Sequence, residues 1–150
     1  MENNKVMAVN RRASHDYFLE DRFECGMVLT GTEIKSIRLG KVQFQDSYIT
    51  IRQGEAWVKM LHISPYKFGN MFNVDETRDR KLLLHKLEIQ RLDQKVRLKG
   101  YTLIPVRIYL KNGRAKMEIA LAKGKNLHDK RATEKERDAK REIAKAVKHY

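Results

Sequence analysis

The sequence predicts a mainly β fold with about three short helices, followed by a charged C-terminal tail. Two hairpin signals, at residues 53–55 (QGE) and 112–113 (NG), each lie between stretches in which apolar and polar residues alternate. Such alternation places one face of a strand in the core and the other in solvent. Residues 132–150 contain no Pro or Gly and few large apolar side chains, so we expect them to lie outside the core.

The net charge is the strongest feature of the composition. The chain carries 32 Lys and Arg against 19 Asp and Glu, which gives a formal net charge of +13. Charge of this size destabilises a compact chain unless a polyanion offsets it, and nucleic acid is the common polyanion. An anionic membrane is the weaker alternative, because the apolar face of the tail is mostly alanine and lacks the Trp, Phe and Leu of membrane-surface helices.

Length and cysteine content limit the architecture further. A chain of 150 residues with one cysteine, Cys25, is expected to be a single domain without an intrachain disulfide. The first residues are polar rather than an apolar signal segment, and no apolar run approaches the length of a membrane span. No long apolar surface face is evident. We therefore expect a cytoplasmic monomer that has no membrane partner.

The N-terminal part of the chain is expected to contain two helices. In order, the predicted elements are a flexible arm at 1–12, a helix at 13–20, a strand at 23–30 and a helix at 31–40. Gly26 indicates a bend or bulge in the strand. Thr32 is the predicted N-cap of the second helix, and Lys35 and Arg38 share its outward face by their i, i+3 spacing.

The remaining body is expected to be mostly strands. In order, the predicted elements are strands at 47–52 and 56–62, a long loop at 67–80, a strand at 81–84, a helix at 85–98, and strands at 101–110 and 115–122. Pro105 favours an edge strand or a bulge in the first strand of the last pair. These short strands favour a small closed antiparallel β-barrel of the oligonucleotide-binding type, with a five-stranded β-sandwich as the alternative.

The tail differs from this body, so we divide the chain into a barrel domain at 1–122 and a basic tail at 123–150. A capping box at residues 133–136 (TEKE) and a thin stripe of Ala139, Ile143 and Val147 predict a helix. Such a helix buries too little to be stable alone in water. We expect the tail to be disordered or helical, and to fold against a partner.

The sequence contains no recognisable catalytic motif, and no catalytic residue, cofactor or metal site is predicted. A Walker loop, GxSxG and HExxH are all missing, and no two of the five histidines have metal-ligand spacing. An RNA-processing enzyme that uses His62 or His85 with a nearby carboxylate remains an alternative of a different class.

Features that bind RNA are more numerous. RNA recognition needs cations for phosphates and flat side chains for unstacked bases. The candidate RNA-binding residues from this reasoning are Arg11, Arg12, His15, Tyr17, Lys35, Arg38 and Lys116, together with a cationic cluster at Lys123, Lys125, His128, Lys130 and Arg131. Phe18 and Trp57 are expected to pack in the core instead.

Five segments resemble one known family. They are residues 10–18 (NRRASHDYF), 30–38 (TGTEIKSIR), 81–85 (KLLLH), 111–116 (KNGRAK) and 122–131 (AKGKNLHDKR). Together, and in this order, they resemble the bacterial small protein B, or SsrA-binding protein, family from about residue 9 to the end. Each segment is weak by itself, but five in register are specific.

The resemblance implies a function in ribosome rescue. The family has an oligonucleotide-binding-type barrel with three helices and no enzymatic activity of its own. It binds the tRNA-like domain of transfer-messenger RNA (tmRNA, or SsrA) and helps it enter the vacant A site of a stalled ribosome. The implied partners are therefore tmRNA and the 30S and 70S ribosome, with the tail in the decoding centre and mRNA channel.

The resemblance also implies roles for single residues. It places Glu24, Leu83, Lys116 and His15 on the surface that reads tmRNA. In the tail, Asp129, Lys130 and Arg131 form the family's C-terminal motif, and His128 would stack on a base of the decoding centre. Leu83 looks buried from sequence, which would make it a support for the RNA surface. The anionic Glu24 would accept hydrogen bonds from base or ribose donors.

A generic RNA-binding or ribosome-associated barrel protein is the nearest alternative. It would account for the charge, the strands and the tail equally well, and only RNA specificity separates the two.

Overall fold

The computed structural model describes residues 4–69, 72–125 and 131. Within them the chain is mainly β, with nine strands and three helices. The elements are β1 (Asn4–Val9), α1 (Arg11–Asp16), β2 (Tyr17–Met27), α2 (Gly31–Arg38), β3 (Val42–Gln43), β4 (Tyr48–Arg52), β5 (Glu55–Lys59), β6 (His62–Ile63), β7 (Arg80–Leu83), α3 (Lys86–Lys99), β8 (Thr102–Lys111) and β9 (Arg114–Gly124). No helix in these residues is both long and apolar enough to cross a membrane.

Seven strands form one antiparallel sheet in the order β1-β8-β4-β5-β7-β2-β9, and β9 also pairs with β8. β3 and β6 form a separate two-stranded sheet. The core takes apolar residues from many of these strands, and β9 shows the expected alternation, with Met117, Ile119 and Leu121 buried. On α3, Ile89 and Leu92 are buried.

Both predicted hairpins are confirmed, as β4–β5 and β8–β9. Their two-residue turns have positive φ at both positions, 53° and 76° at Gln53 and Gly54, and 51° and 77° at Asn112 and Gly113. Turns of this kind match the right-handed twist of the flanking strands, and Asn and Gly adopt the left-handed region at little cost.

The predicted flexible arm is wrong for its described part. Residues 4–9 form β1, which pairs antiparallel with β8, from Asn4 opposite Lys111 to Val9 opposite Arg107. The next helix is also earlier than predicted, because α1 covers Arg11–Asp16 and β2 begins at once with Tyr17. β1 pairs with the side of β8 that does not face β9, and the backbone hydrogen bonds of this pairing cannot be read from the local sequence.

One further detail differs from the sequence prediction, and of the two alternatives at Pro105 the bulge is confirmed. The N-cap of α2 is Thr30 rather than Thr32, because the Thr30 hydroxyl accepts from the Glu33 backbone N–H at 3.3 Å while the Glu33 carboxylate accepts from the Thr30 N–H at 2.9 Å. Pro105 lies at a bulge, where the β8–β9 register shifts between Pro105 and Arg107, but β8 is not an edge strand.

Candidate nucleic-acid interface

A shallow groove of about 400 Å³ crosses the outward side of β7, β2 and β9. The sheet register creates it, because Gly26 on β2 lies opposite both Leu83 on β7 and Lys116 on β9. A Cβ at Gly26 would lie 3.3 Å from Leu83 Cβ and Cδ1, so the glycine lets Leu83 lie close across β2. Leu83 is 54% exposed, and the prediction that it is buried is wrong.

Glu24 is one of two carboxylates that line the groove, the other being Glu88 on α3. The Glu24 carboxylate accepts a hydrogen bond from the Tyr109 hydroxyl and another from Lys111 Nζ at 3.4 Å. The Tyr109 bond is the main reason that the pKa of Glu24 lies below its usual value. Glu24 is therefore an anion at neutral pH, held by two side chains of β8 and exposed at the surface.

A row of side chains joined by salt bridges lies beside Glu24. Glu118, opposite it on β9, accepts from Arg22 Nη1 and from Arg107 Nε, each at 2.8 Å. The Arg107 guanidinium also lies 5.4 Å from the centre of the Tyr109 ring. Because these neighbours hold one another, the sheet presents Glu24 and Lys116 from a fixed framework.

The predicted residues of α1 and of the start of β2 do not line the groove around Glu24. Arg11 and Arg12 are exposed, and His15 Nδ1 lies 2.8 Å from Asp16 Oδ1. Tyr17 is half-buried and packs beside Ala13. This arrangement keeps the two arginines available for phosphates and ties His15 to its neighbour.

The beginning of the predicted tail is attached to α1. Lys123 lies in β9, with Nζ 4.6 Å from the centre of the Tyr101 ring. Lys125 donates from its backbone N to the Asp16 carbonyl at 2.8 Å and from Nζ to the Ser14 carbonyl at 2.9 Å. Its ammonium also lies 5.0 Å from the Phe18 ring, which is 48% exposed and not in the core as predicted.

The remaining predicted positions divide between α2 and the tail. Lys35 and Arg38 are exposed on α2, and Arg38 Nη2 donates to the Gly113 carbonyl at 3.5 Å, which links the helix to the β8–β9 turn. Arg131 is exposed. His128, Asp129 and Lys130, like the predicted tail helix, lie outside the described residues.

A family model described as SmpB protein matches residues 7–149 of the chain. The chain belongs to the SmpB family. SsrA-binding proteins of Caldicellulosiruptor saccharolyticus, Geobacter metallireducens and Bacillus cereus (strain AH820) are 57%, 54% and 56% identical to it. The matches cover 97%, 96% and 96% of this chain, and 92%, 94% and 93% of those proteins.

A solved structure described as "tmRNA-SmpB: a journey to the center of the bacterial ribosome" also matches. It superposes with a TM-score of 0.68 at 48% identity, over 80% of this chain and 85% of that one. The resemblance read from the five sequence segments is thereby confirmed. Of the residues that it implies, Glu24, Leu83 and Lys116 all line the groove across β7, β2 and β9.

The two histidines of the enzyme alternative occupy ordinary structural positions in this SmpB-family chain. His62 Nε2 lies 2.6 Å from Glu76 Oε2, and its Nδ1 is buried without a hydrogen-bond partner, so the ring has no free edge for a substrate. His85 is the N-cap residue of α3, and its backbone N donates to Glu88 Oε1 at 3.1 Å. Among the described residues, no three His, Cys, Asp or Glu side chains could hold a metal ion.

Sequence reasoning missed a buried ion-pair network under α2. Arg80 is 0% exposed, and its Nε donates to Glu33 Oε2 at 2.6 Å while Nη1 donates to the Leu61 carbonyl. Arg78 Nη2 donates to the other Glu33 oxygen at 2.5 Å. Burial alone would raise the pKa of Glu33, but the bonds from Arg78, the Thr30 backbone and Arg80 together lower it. The only sequence signal was the acidic residue in the first turn of α2.

Proposed function

We propose that this chain binds the tRNA-like domain of tmRNA and delivers it to stalled ribosomes for trans-translation. The observation that carries the proposal is the groove in which Glu24, Leu83 and Lys116 meet around Gly26. The names of the relatives, which are SsrA-binding proteins, and the tmRNA description of the solved neighbour support the choice of RNA.

Each groove residue suits a different part of an RNA. The Lys116 ammonium contacts a phosphate. The ionised Glu24 accepts from a ribose 2′-hydroxyl or from a base amino group, donors that a phosphate-only site would not use. Leu83 presents apolar surface to a sugar or a base face. Arg11, Arg12, Lys35 and Arg38 extend the positive field along the body.

We infer further that the sheet is a closed barrel of the oligonucleotide-binding type. The pairing of β8 with β4 on one side and with β9 on the other supports closure, since the pairings then run through β5, β7 and β2 without a free edge. Closure explains how an exposed groove keeps its shape, because each strand is held from both sides.

The body and the tail have different tasks in this proposal. Residues 1–122 bind tmRNA, and residues 123–150 enter the vacant decoding centre and mRNA channel, where the tail folds as a helix. The attachment of Lys123 and Lys125 to Tyr101 and α1 supports a tail that leaves the body in one direction. The chain acts in the cytoplasm as a monomer, without a cofactor, and performs no enzymatic step.

The deciding experiment measures dissociation constants for the tmRNA tRNA-like domain and for an ordinary tRNA at one fixed salt concentration. The full chain and a version ending at Leu127 are compared. We expect both to prefer tmRNA, because recognition lies in the body. Equal affinity for the two RNAs would support the generic RNA-binding alternative and contradict the proposal.

The division between body and tail has its own test. Replacing Asp129, Lys130 and Arg131 together by Ala is expected to leave tmRNA affinity nearly unchanged and to abolish peptide tagging in a reconstituted translation reaction. A loss of tmRNA affinity by orders of magnitude would show that the body and the tail do not act separately.

A further inference from the structure

A second groove, of about 390 Å³, lies where α2 meets the loop that follows β6. Its lining includes Thr32 and Lys35 from α2 and Tyr66, Phe68, Gly69 and Phe72 from the loop. It shares no lining residue with the groove around Glu24, and neither the sequence motifs nor the proposed tmRNA contact uses its aromatic residues.

The two phenylalanine side chains of this second groove face solvent, and Tyr66 is half-buried. Phe68 is 74% exposed and Phe72 is 75% exposed. Tyr66 and Phe68 meet edge to face, with ring centres 5.6 Å apart. Exposed Leu or Val side chains are common on protein surfaces, but a group of exposed aromatic rings in one groove indicates binding.

Hydrogen bonds and close packing hold the backbone of the loop that carries these rings. The Asn73 side chain accepts from the Tyr66 backbone N at 2.8 Å and donates to the Tyr66 carbonyl at 2.9 Å. The Thr32 hydroxyl donates to the Phe72 carbonyl at 3.4 Å. Gly69 is so close to α2 that a Cβ there would lie 2.8 Å from Thr32 Cγ2. A loop backbone held in this way loses little further conformational entropy on binding.

Positive charge accompanies the rings. Lys35 Nζ lies 5.3 Å from the centre of the Tyr66 ring, and Lys67 Nζ lies 5.8 Å from the centre of the Phe68 ring. No Asp or Glu occurs among the described residues that line the groove. Flat apolar faces next to ammonium groups match the alternation of bases and phosphates along a single RNA strand.

We infer that this second groove binds unpaired nucleotides of single-stranded RNA. Bases stack on the rings of Phe68 and Phe72, and the adjoining phosphates pair with Lys35 and Lys67. The site reads the flat faces of bases rather than their edges, so it binds single strands with little sequence preference. It goes beyond the proposed function, because it requires no tmRNA and no tRNA-like fold.

The test uses the full chain and a short unstructured oligouridine with a fluorescent label, followed by fluorescence anisotropy at fixed salt. In the double variant Phe68→Ala/Phe72→Ala we expect at least about ten-fold weaker binding, since each lost stacking contact costs several-fold or more. The matched control is Leu87→Ala/Leu98→Ala, which removes two exposed apolar side chains of α3 and is expected to leave the affinity unchanged.

A second variant separates stacking from general apolar contact. Phe68→Leu/Phe72→Leu keeps apolar bulk but removes the flat rings, and it is expected to bind oligouridine as weakly as the alanine variant. Thermal unfolding is measured to check that both variants fold. The affinity of both for the tmRNA tRNA-like domain is measured in parallel and is expected to change less than about two-fold, which distinguishes this site from the one around Glu24.

Three results would overturn the inference. The first is oligouridine binding by the alanine variant at the strength of the unmodified chain, which would mean that charge alone binds the strand. The second is full binding by the leucine variant. The third is no oligouridine binding by the unmodified chain, combined with loss of binding to purified ribosomal proteins in the alanine variant, which would identify a protein partner.

Discussion

Glu33 and Glu24 are two carboxylates with similar partners in very different places. Glu33 is buried and accepts from two arginines, whereas Glu24 is exposed and accepts from a tyrosine and a lysine. The pKa of each lies below its usual value, with the hydrogen bonds from Arg78, the Thr30 backbone and Arg80 responsible for Glu33 and that from Tyr109 mainly responsible for Glu24. Both are therefore anions at neutral pH, and their burial is the main difference between them.

The difference shows how burial decides what a charge does. Inside the fold, a charge needs every partner within the protein, and Arg80 accordingly donates to the carbonyls of Leu61 and Glu76 in addition to Glu33. At the surface, the Glu24 side chain remains partly exposed, as the proposed contact with an RNA donor requires. The first carboxylate orders the fold, and the second is available for recognition.

The largest expected effect comes from breaking the buried pair. Arg80→Met leaves the Glu33 carboxylate with one arginine in a buried site, and we expect a loss of about 3–5 kcal/mol in the free energy of unfolding. Lys59→Met is the control, because it breaks the partly exposed pair with Asp79 at 3.0 Å and is expected to cost about 1 kcal/mol or less. Urea denaturation measures both, and equal losses would show that burial does not distinguish these pairs.

Substitution of two carboxylates on one strand tests the groove around Glu24. Glu24 and Glu20 both lie on β2, and each accepts from a tyrosine hydroxyl, Tyr109 and Tyr101 respectively. We expect Glu24→Ala to weaken binding of the tmRNA tRNA-like domain about ten-fold or more, because a hydrogen bond to a charged group is lost. Glu20→Ala is expected to bind normally. If the two variants were equally weak, the groove would not be the recognition surface.

The pH dependence of stability sharpens the contrast. Because the folded-state pKa of Glu33 lies below its ordinary value of 4.5, its contribution is complete above that value and is lost as the pH falls through the folded pKa. We expect Glu33→Gln to be less stable at neutral pH and to show a flatter decline in free energy of unfolding below about pH 4.5. If the free energy of unfolding of this variant declined as steeply at acid pH as that of the unmodified chain, Glu33 would not be the carboxylate responsible for the decline.

The smallest expected effect concerns a single phosphate contact. Lys116→Ala is expected to lower the slope of log affinity against log salt concentration by about one unit for tmRNA. The control is Lys95→Ala. Lys95 lies on α3 and pairs with Asp21 of β2 at 3.0 Å. An unchanged slope for Lys116→Ala would exclude Lys116 from the phosphate contacts.

The sequence predicted those turns and helix ends whose backbone conformation depends on the residues at that position. The turn at Asn112 and Gly113 is correct, because the left-handed backbone at both positions depends on the residues themselves. The helix predicted at 85–98 is also found, as α3, and Gly100 caps its end in the left-handed conformation. The five segments also predicted the family. These features need no knowledge of what lies across the sheet.

Features that depend on distant partners were not predictable. Three leucines in a row, at 82–84, contain no alternation that could set which one faces outward, and only the pairing of Leu83 with Gly26 decides it. Arg80 falls at the end of the predicted loop at 67–80, yet it is buried in β7, because Glu33 in α2 compensates for its charge. Residues 4–9 resemble a flexible arm until β8 is present to pair with them.

The pairing of Tyr17 with Gly124 has a consequence for synthesis. β2 is made early, but most of its length pairs with β9, the last strand among the described residues. At 5–20 residues per second, β2 waits roughly 5–20 s for that partner. Contacts so distant in sequence also make folding slow. For that interval the nascent chain exposes an unpaired strand edge, the kind of surface on which chains aggregate.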